Sequence, residues 1–120
     1  MDKASTDCLQ VLVSSSEEER VLFGLNLALV AASSGISVTV FFALGSARWV
    51  CAEHASAGPV VDLIQQLAES EVPLHCCSTC VHEHCHDGDG LEVPLVDGVR
   101  RSGLASMLKR SVDGCETITI

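Results

Sequence analysis

The chain has no tyrosine, one tryptophan and three phenylalanines. Aromatic residues make up 3% of it, hydrophobic residues 48%. A core must therefore be filled by Val, Leu, Ile and Ala. That suits an α/β protein better than a barrel or sandwich, whose strands carry more aromatics. Cations are also scarce. Seven Lys and Arg face sixteen Asp and Glu, giving a formal charge of −9 and a pI of about 4.7. Phosphate backbones repel such a surface, which excludes nucleic acid as a partner class. The N-terminal residues "MDKASTDCLQ" lack an apolar signal region, which predicts a reducing cytoplasm as the compartment.

Charge is absent altogether from Val21 to Ala47, long enough to raise the question of a membrane span. Asn26, "SSGIS" at 33–37 and Thr39 interrupt the run. Its first half is rich in helix formers, its second in β-branched and aromatic residues. The pattern predicts a buried helix, a turn and a buried strand, and no membrane contact. With 120 residues the chain is one domain, 1–120, able to bury its own core.

What is present alternates between strand and helix signals. "CLQVLVS" (8–14) reads as a first strand. Ser16 with Glu19 forms a capping-box pattern ahead of a helix carrying Leu22, Leu25, Leu29 and Ala32, and Gly35 supplies its stop. Good capping outweighs catalysis for the carboxylates at 17–19. "ISVTVFFA" (36–43) is apolar on both faces, as a central parallel strand should be. A long connection (44–59) with a short helix follows, then a helix at 60–70 behind Pro59. "VPLHC" (72–76), "VRRS" (99–102) and "ETITI" (116–120) complete five strands, with a helix at 104–110 before the last. Strands alternating with helices across short links predict an α/β fold. Specifically, this is a three-layer α/β/α domain with a mainly parallel five-stranded sheet. Ligands in such sheets sit beyond the carboxyl ends of the strands.

At that edge, directly after the third strand, stands "HCCSTCVHEHCH", His75 to His86. Eight of its twelve residues are Cys or His, and only Cys8, Cys51, Cys115 and His54 lie elsewhere. Seven cysteines, four of them crowded together, do not form a spread-out disulfide framework. If a helix begins at Ser78 or Thr79, Cys77 sits at its N-terminus, where unpaired N–H groups favour a thiolate. Cys80 lies one turn on, placed to form a disulfide with Cys77 or to take sulfur from it. Cys76 is the rival for the role, but successive strand residues face opposite sides, so at most one of the pair points into a site.

A thioredoxin-like reading shares the chemistry but needs an early strand and a supporting proline, and Pro59, Pro73 and Pro94 do not supply one. A metal reading uses zinc or copper ligands in the 76–86 cluster: Cys77, Cys80 and His84 share a helical face, while His82 and Cys85 point elsewhere. A tetrahedral site would need a further ligand from another element. Cys8 and Cys115 read as packed core thiols, Cys51 and His54 as residues of a connection able to fold over the sheet edge. Arg100 and Arg101 read as solvated surface charge.

"VLVSSS", "SVTVFF", "LIQQLAESEVPLHCCSTC" and "ETITI" together resemble the DsrE/DsrF/TusD-like family of small sulfur-relay proteins along nearly the whole chain. The resemblance implies a doubly wound α/β domain acting as a cytoplasmic sulfur carrier or sulfurtransferase-like relay. Its persulfide would sit on a Cys after the third strand, matched by Cys77, with Cys80 matching the second Cys of a "C-x-T-C" pattern. It implies sulfur donor and acceptor proteins as partners, no organic cofactor, and assembly as a homotrimer, homohexamer or hetero-oligomer with paralogous subunits. Where the family often has Arg-Gly after the short helix, this chain has "HCHDG". A mean hydropathy of +0.36, high for so short a domain, independently predicts a homo-oligomer with an apolar interface.

Overall fold

A computed structural model describes residues 7–52 and 58–120. Five strands, β1 (Cys8–Val13), β2 (Ser37–Phe42), β3 (Leu74–Cys77), β4 (Val99–Ser102) and β5 (Glu116–Thr119), form one sheet of order β4-β3-β2-β1-β5. Every neighbouring pair is parallel. The helices are α1 (Glu18–Ser33), α2 (Pro59–Glu69), α3 (Ser78–His84) and α4 (Leu104–Val112), and a 3-10 helix at Leu44–Val50 follows β2. Parallel crossovers are right-handed. The three steps from β1 to β4 run one way and put α1, α2 and α3 on one face, and the return past β1 puts α4 on the other.

β2 is central and apolar on both faces: Val38, Val40, Phe41 and Phe42 are all buried. Val11, Val13, Leu25, Ala28, Ile64 and Leu67 close the core between the sheet and α1/α2. The uncharged run thus resolves into α1, a turn and β2. No helix among the described residues is long and apolar enough to cross a membrane. Gly35 ends α1 as expected, at φ +86°. The N–H of Gly35 reaches the Ala32 carbonyl and that of Ile36 the Ala31 carbonyl, at 3.1 and 3.0 Å, the paired bonds of a Schellman stop.

The other end of α1 departs from the expected capping box. The helix starts one turn-position later, with Glu17 at its cap and no side-chain cap bond. Ser15 Oγ accepts the Glu17 N–H at 3.0 Å. The carbonyl of Ser16 is taken by Trp49 Nε1 at 2.7 Å, so the 3-10 helix, not Glu19, fixes this turn. Gly45 allows the close approach, since a Cβ there would lie 3.0 Å from the Ser16 Cβ.

Cysteine pairing is the larger correction. Cys8 is bonded to Cys115, and Cys51 to Cys85. The first pair follows from register. β1 and β5 pair with Leu9 opposite Glu116, which sets the preceding residues side by side, Cα atoms 4.6 Å apart. Both are half-buried at the start of their strands, not core thiols.

Candidate functional site

The carboxyl edge of the sheet gathers the β1–α1 turn, the 3-10 helix, α3 and the end of β4. Within β3 the pleat separates the adjacent cysteines. Cys76 pairs with Phe42 on one side and Arg101 on the other, on the face shared with Leu74, and is 0% exposed. Burial first, and the charges of Cys80 and Cys77 next, push its thiol up to about 12, with Arg101 pulling weakly the other way. Cys76 is therefore a protonated core residue at neutral pH.

Cys77 ends the strand opposite Ser102 and is the N-cap residue of α3, with no side-chain cap bond to occupy its sulfur. It is 3% exposed and Cys80, one turn on, is 6% exposed. Access is thus tighter than an edge position alone suggests. Ser78 Oγ donates to the Ser102 carbonyl at 3.3 Å and ties the start of α3 to β4. Burial pushes the Cys80 thiol above its ordinary value. The N–H of Leu44, 2.9 Å from Cys80 Sγ, pulls it back, while a hydrogen bond to Cys77, the Cys77 charge and the Glu83 carboxylate push it up. The structure therefore brings Cys77 and Cys80 together, with Cys80 holding its proton toward Cys77.

The other cluster members go elsewhere. His82 and His86 are exposed and His84 is half-buried; His86 Nε2 bonds the Glu83 carbonyl at 3.0 Å. Cys85 ends α3 with non-helical φ/ψ of −111°/74° and is bonded to Cys51, so it is no free ligand. Among the described residues no three His, Cys, Asp or Glu are grouped to hold a metal ion. Cys77 and Cys80 lie together, but His84 does not complete a group of three with them. Cys51 does fold over the sheet edge, as a residue of the 44–59 connection could, while His54 lies outside the described residues. Arg101 is ion-paired with Glu92, and Arg100 is exposed. What the sequence did not reveal is the Leu44 N–H. A backbone donor carries no residue signature.

A strand-to-helix dithiol at the ligand edge of an all-parallel sheet defines a class of small α/β thiol proteins. Residues 9–120 match the DsrE/DsrF-like family, and the chain belongs to it. Among solved structures it is similar to the YchN protein of E. coli. The identity is 21% and the TM-score 0.70, covering 94% of this chain and 99% of that one. At that identity the likeness speaks to the fold alone. No curated protein matches it.

Proposed function

We propose that the chain is a sulfur carrier of the persulfide-relay type, with Cys77 as the residue that takes the sulfur. Family membership supports a sulfur-relay function in general. The observation that carries the finer reading is the division of labour among three neighbouring thiols. Cys76 is sealed in the core and protonated, Cys80 keeps its proton toward Cys77, and Cys77 ends the strand with no cap bond from its side chain to the helix.

The Cys77 thiolate attacks the outer sulfur of a donor persulfide. The new S–S bond forms as the donor's own S–S bond breaks, and the donor leaves as a thiolate. An acceptor thiolate then takes the outer sulfur from Cys77 and regenerates the Cys77 thiolate. Without an acceptor, Cys80 attacks Cys77 Sγ, closes a Cys77–Cys80 disulfide and releases hydrosulfide. No organic cofactor enters either step. Both sulfurs are nearly but not wholly covered, so donor and acceptor proteins would reach them from this edge, as a small persulfide also can.

Assembly belongs to the same reading. α4 buries none of its residues fully, and Leu104, Leu108 and Val112 stand exposed at i, i+4 and i+8. That is an apolar stripe on one face of a helix. We assign it to a homotrimer or homohexamer interface. The function is tested by incubating the non-reduced protein with a low-molecular-weight persulfide and weighing it intact. A gain of one sulfur atom, removed by cyanide, supports the relay; no gain at any donor excess refutes it.

A further inference from the structure

Leu44 has φ +55°, a conformation that costs any residue with a Cβ and that glycine adopts freely. A glycine stands one position later in the chain, so the fold had one at hand and does not use it here. Core packing does not explain the leucine either, since its side chain is 60% exposed. The conformation is held from several sides. The N–H of Ala43 meets the Val13 carbonyl at 2.9 Å and Ser46 Oγ at 3.1 Å. Buried Ser46 Oγ also lies 2.6 Å from the Val13 carbonyl and 2.8 Å from that of Ala43. The far end of the same 3-10 helix is tied to α3 by the Cys51–Cys85 bond. Backbone strain survives where its surroundings over-determine it. The product of this strain is one N–H, that of Leu44, 2.9 Å from the sulfur of Cys80.

We infer that Leu44 is a positioning residue whose left-handed turn aims its N–H at Cys80 Sγ, stabilising negative charge there and preparing Cys80 to resolve a persulfide on Cys77. The inference deepens the relay reading and rests on it for the word "resolve"; the N–H effect itself does not depend on sulfur transfer. The resolving step balances as follows. Cys80 loses its proton to solvent, its thiolate attacks Cys77 Sγ, the persulfide S–S bond breaks, the Cys77–Cys80 bond forms, and hydrosulfide leaves with the electron pair. A thiolate accepting an N–H is the charged form that such a donor favours. The groups facing Cys80 are Cys76, Cys77, Glu83 and this N–H.

The test uses the full chain with both disulfides intact and Cys76→Ser and Cys77→Ser in place, leaving Cys80 as the one free thiol. The pH profile of its alkylation by iodoacetamide is measured with Leu44, Leu44→Gly, Leu44→Asn and Leu44→Val. Gly and Asn tolerate the left-handed region, whereas a β-branched residue does not. Gly and Asn should keep the midpoint where Leu has it or lower it. Val should raise it by about one pH unit, a tenfold loss of thiolate at fixed pH. If Val fails to fold, Leu44→Ala takes its place with a smaller shift in the same direction. Equal midpoints across the series, with only the melting temperatures differing, overturn the inference. Because no persulfide is used, this result stands apart from success or failure of the relay itself.

Discussion

The separation of Cys76 from Cys77 can be measured directly. At about pH 7.5 a thiol of ordinary pKa, about 8.5, is roughly one-tenth ionised. A thiol pushed up to about 12 is ionised to roughly three parts in a hundred thousand at that pH. Only the thiolate reacts, so Cys76 should be alkylated about three orders of magnitude more slowly than glutathione, before its lack of exposure adds anything. The assay uses non-reduced Cys77→Ser/Cys80→Ser protein, in which Cys76 is the sole free thiol, and follows iodoacetamide labelling by intact mass. Removing the neighbouring thiols takes away the smaller contributions to the shift and leaves burial, the largest cause. At least a hundredfold deficit should therefore remain, and it should vanish in guanidinium. Labelling within tenfold of glutathione in the folded state would refute the placement of Cys76 in the core and reopen its claim to the sulfur.

Three further outcomes follow from the geometry. His75 is held below its ordinary value of 6.5, by burial first and then by Arg110 and Arg100. Its neutral form belongs to the folded state, so as pH falls below 6.5 the unfolded chain takes up a proton that the folded one resists, and stability drops. Urea midpoints between about pH 5 and pH 7.5 should show that loss in the wild type and a smaller one in His75→Gln. The Cys8–Cys115 bond spans 107 residues of sequence. Chain-entropy arithmetic for such a loop gives about 4–5 kcal/mol, so Cys8→Ser/Cys115→Ser should unfold at clearly lower urea; an unchanged midpoint would contradict the pairing. Leu108→Glu places a charge in the middle of the α4 stripe and should shift sedimentation toward the 12.7 kDa monomer, while a wild type that is already monomeric would remove the proposed interface.

Where local chemistry decided the outcome, the sequence was readable. β2 needed no partner to be recognised, because an apolar run on both faces fits only a covered central strand. Gly35 announced the end of α1 through its conformational freedom, and the strand–helix junction at Cys77 followed from the polar Ser78-Thr79 break after β3 in "HCCSTC". Where long-range register decided, it was not readable. Nothing in Cys8 or Cys115 alone says that β5 returns beside β1, yet that one fact joins them. The same holds for Ser16, whose capping pattern was locally sound but whose carbonyl is claimed by Trp49 from 33 residues away. The metal reading meets the same limit: it needed a further ligand from another element, which only long-range packing could supply. Among the described residues no such group forms, and Cys85 is tied to Cys51.

The central claim is that Cys77 carries the sulfur, and the most direct measurement is the rate of sulfur uptake in single variants. Wild type, Cys76→Ser, Cys77→Ser and Cys80→Ser are each mixed with the same persulfide donor, and the mass gain is followed in time. Cys76→Ser should match the wild type, Cys80→Ser should take up sulfur and hold it longer, and Cys77→Ser should take up none. Uptake by Cys77→Ser at the wild-type rate would contradict the assignment.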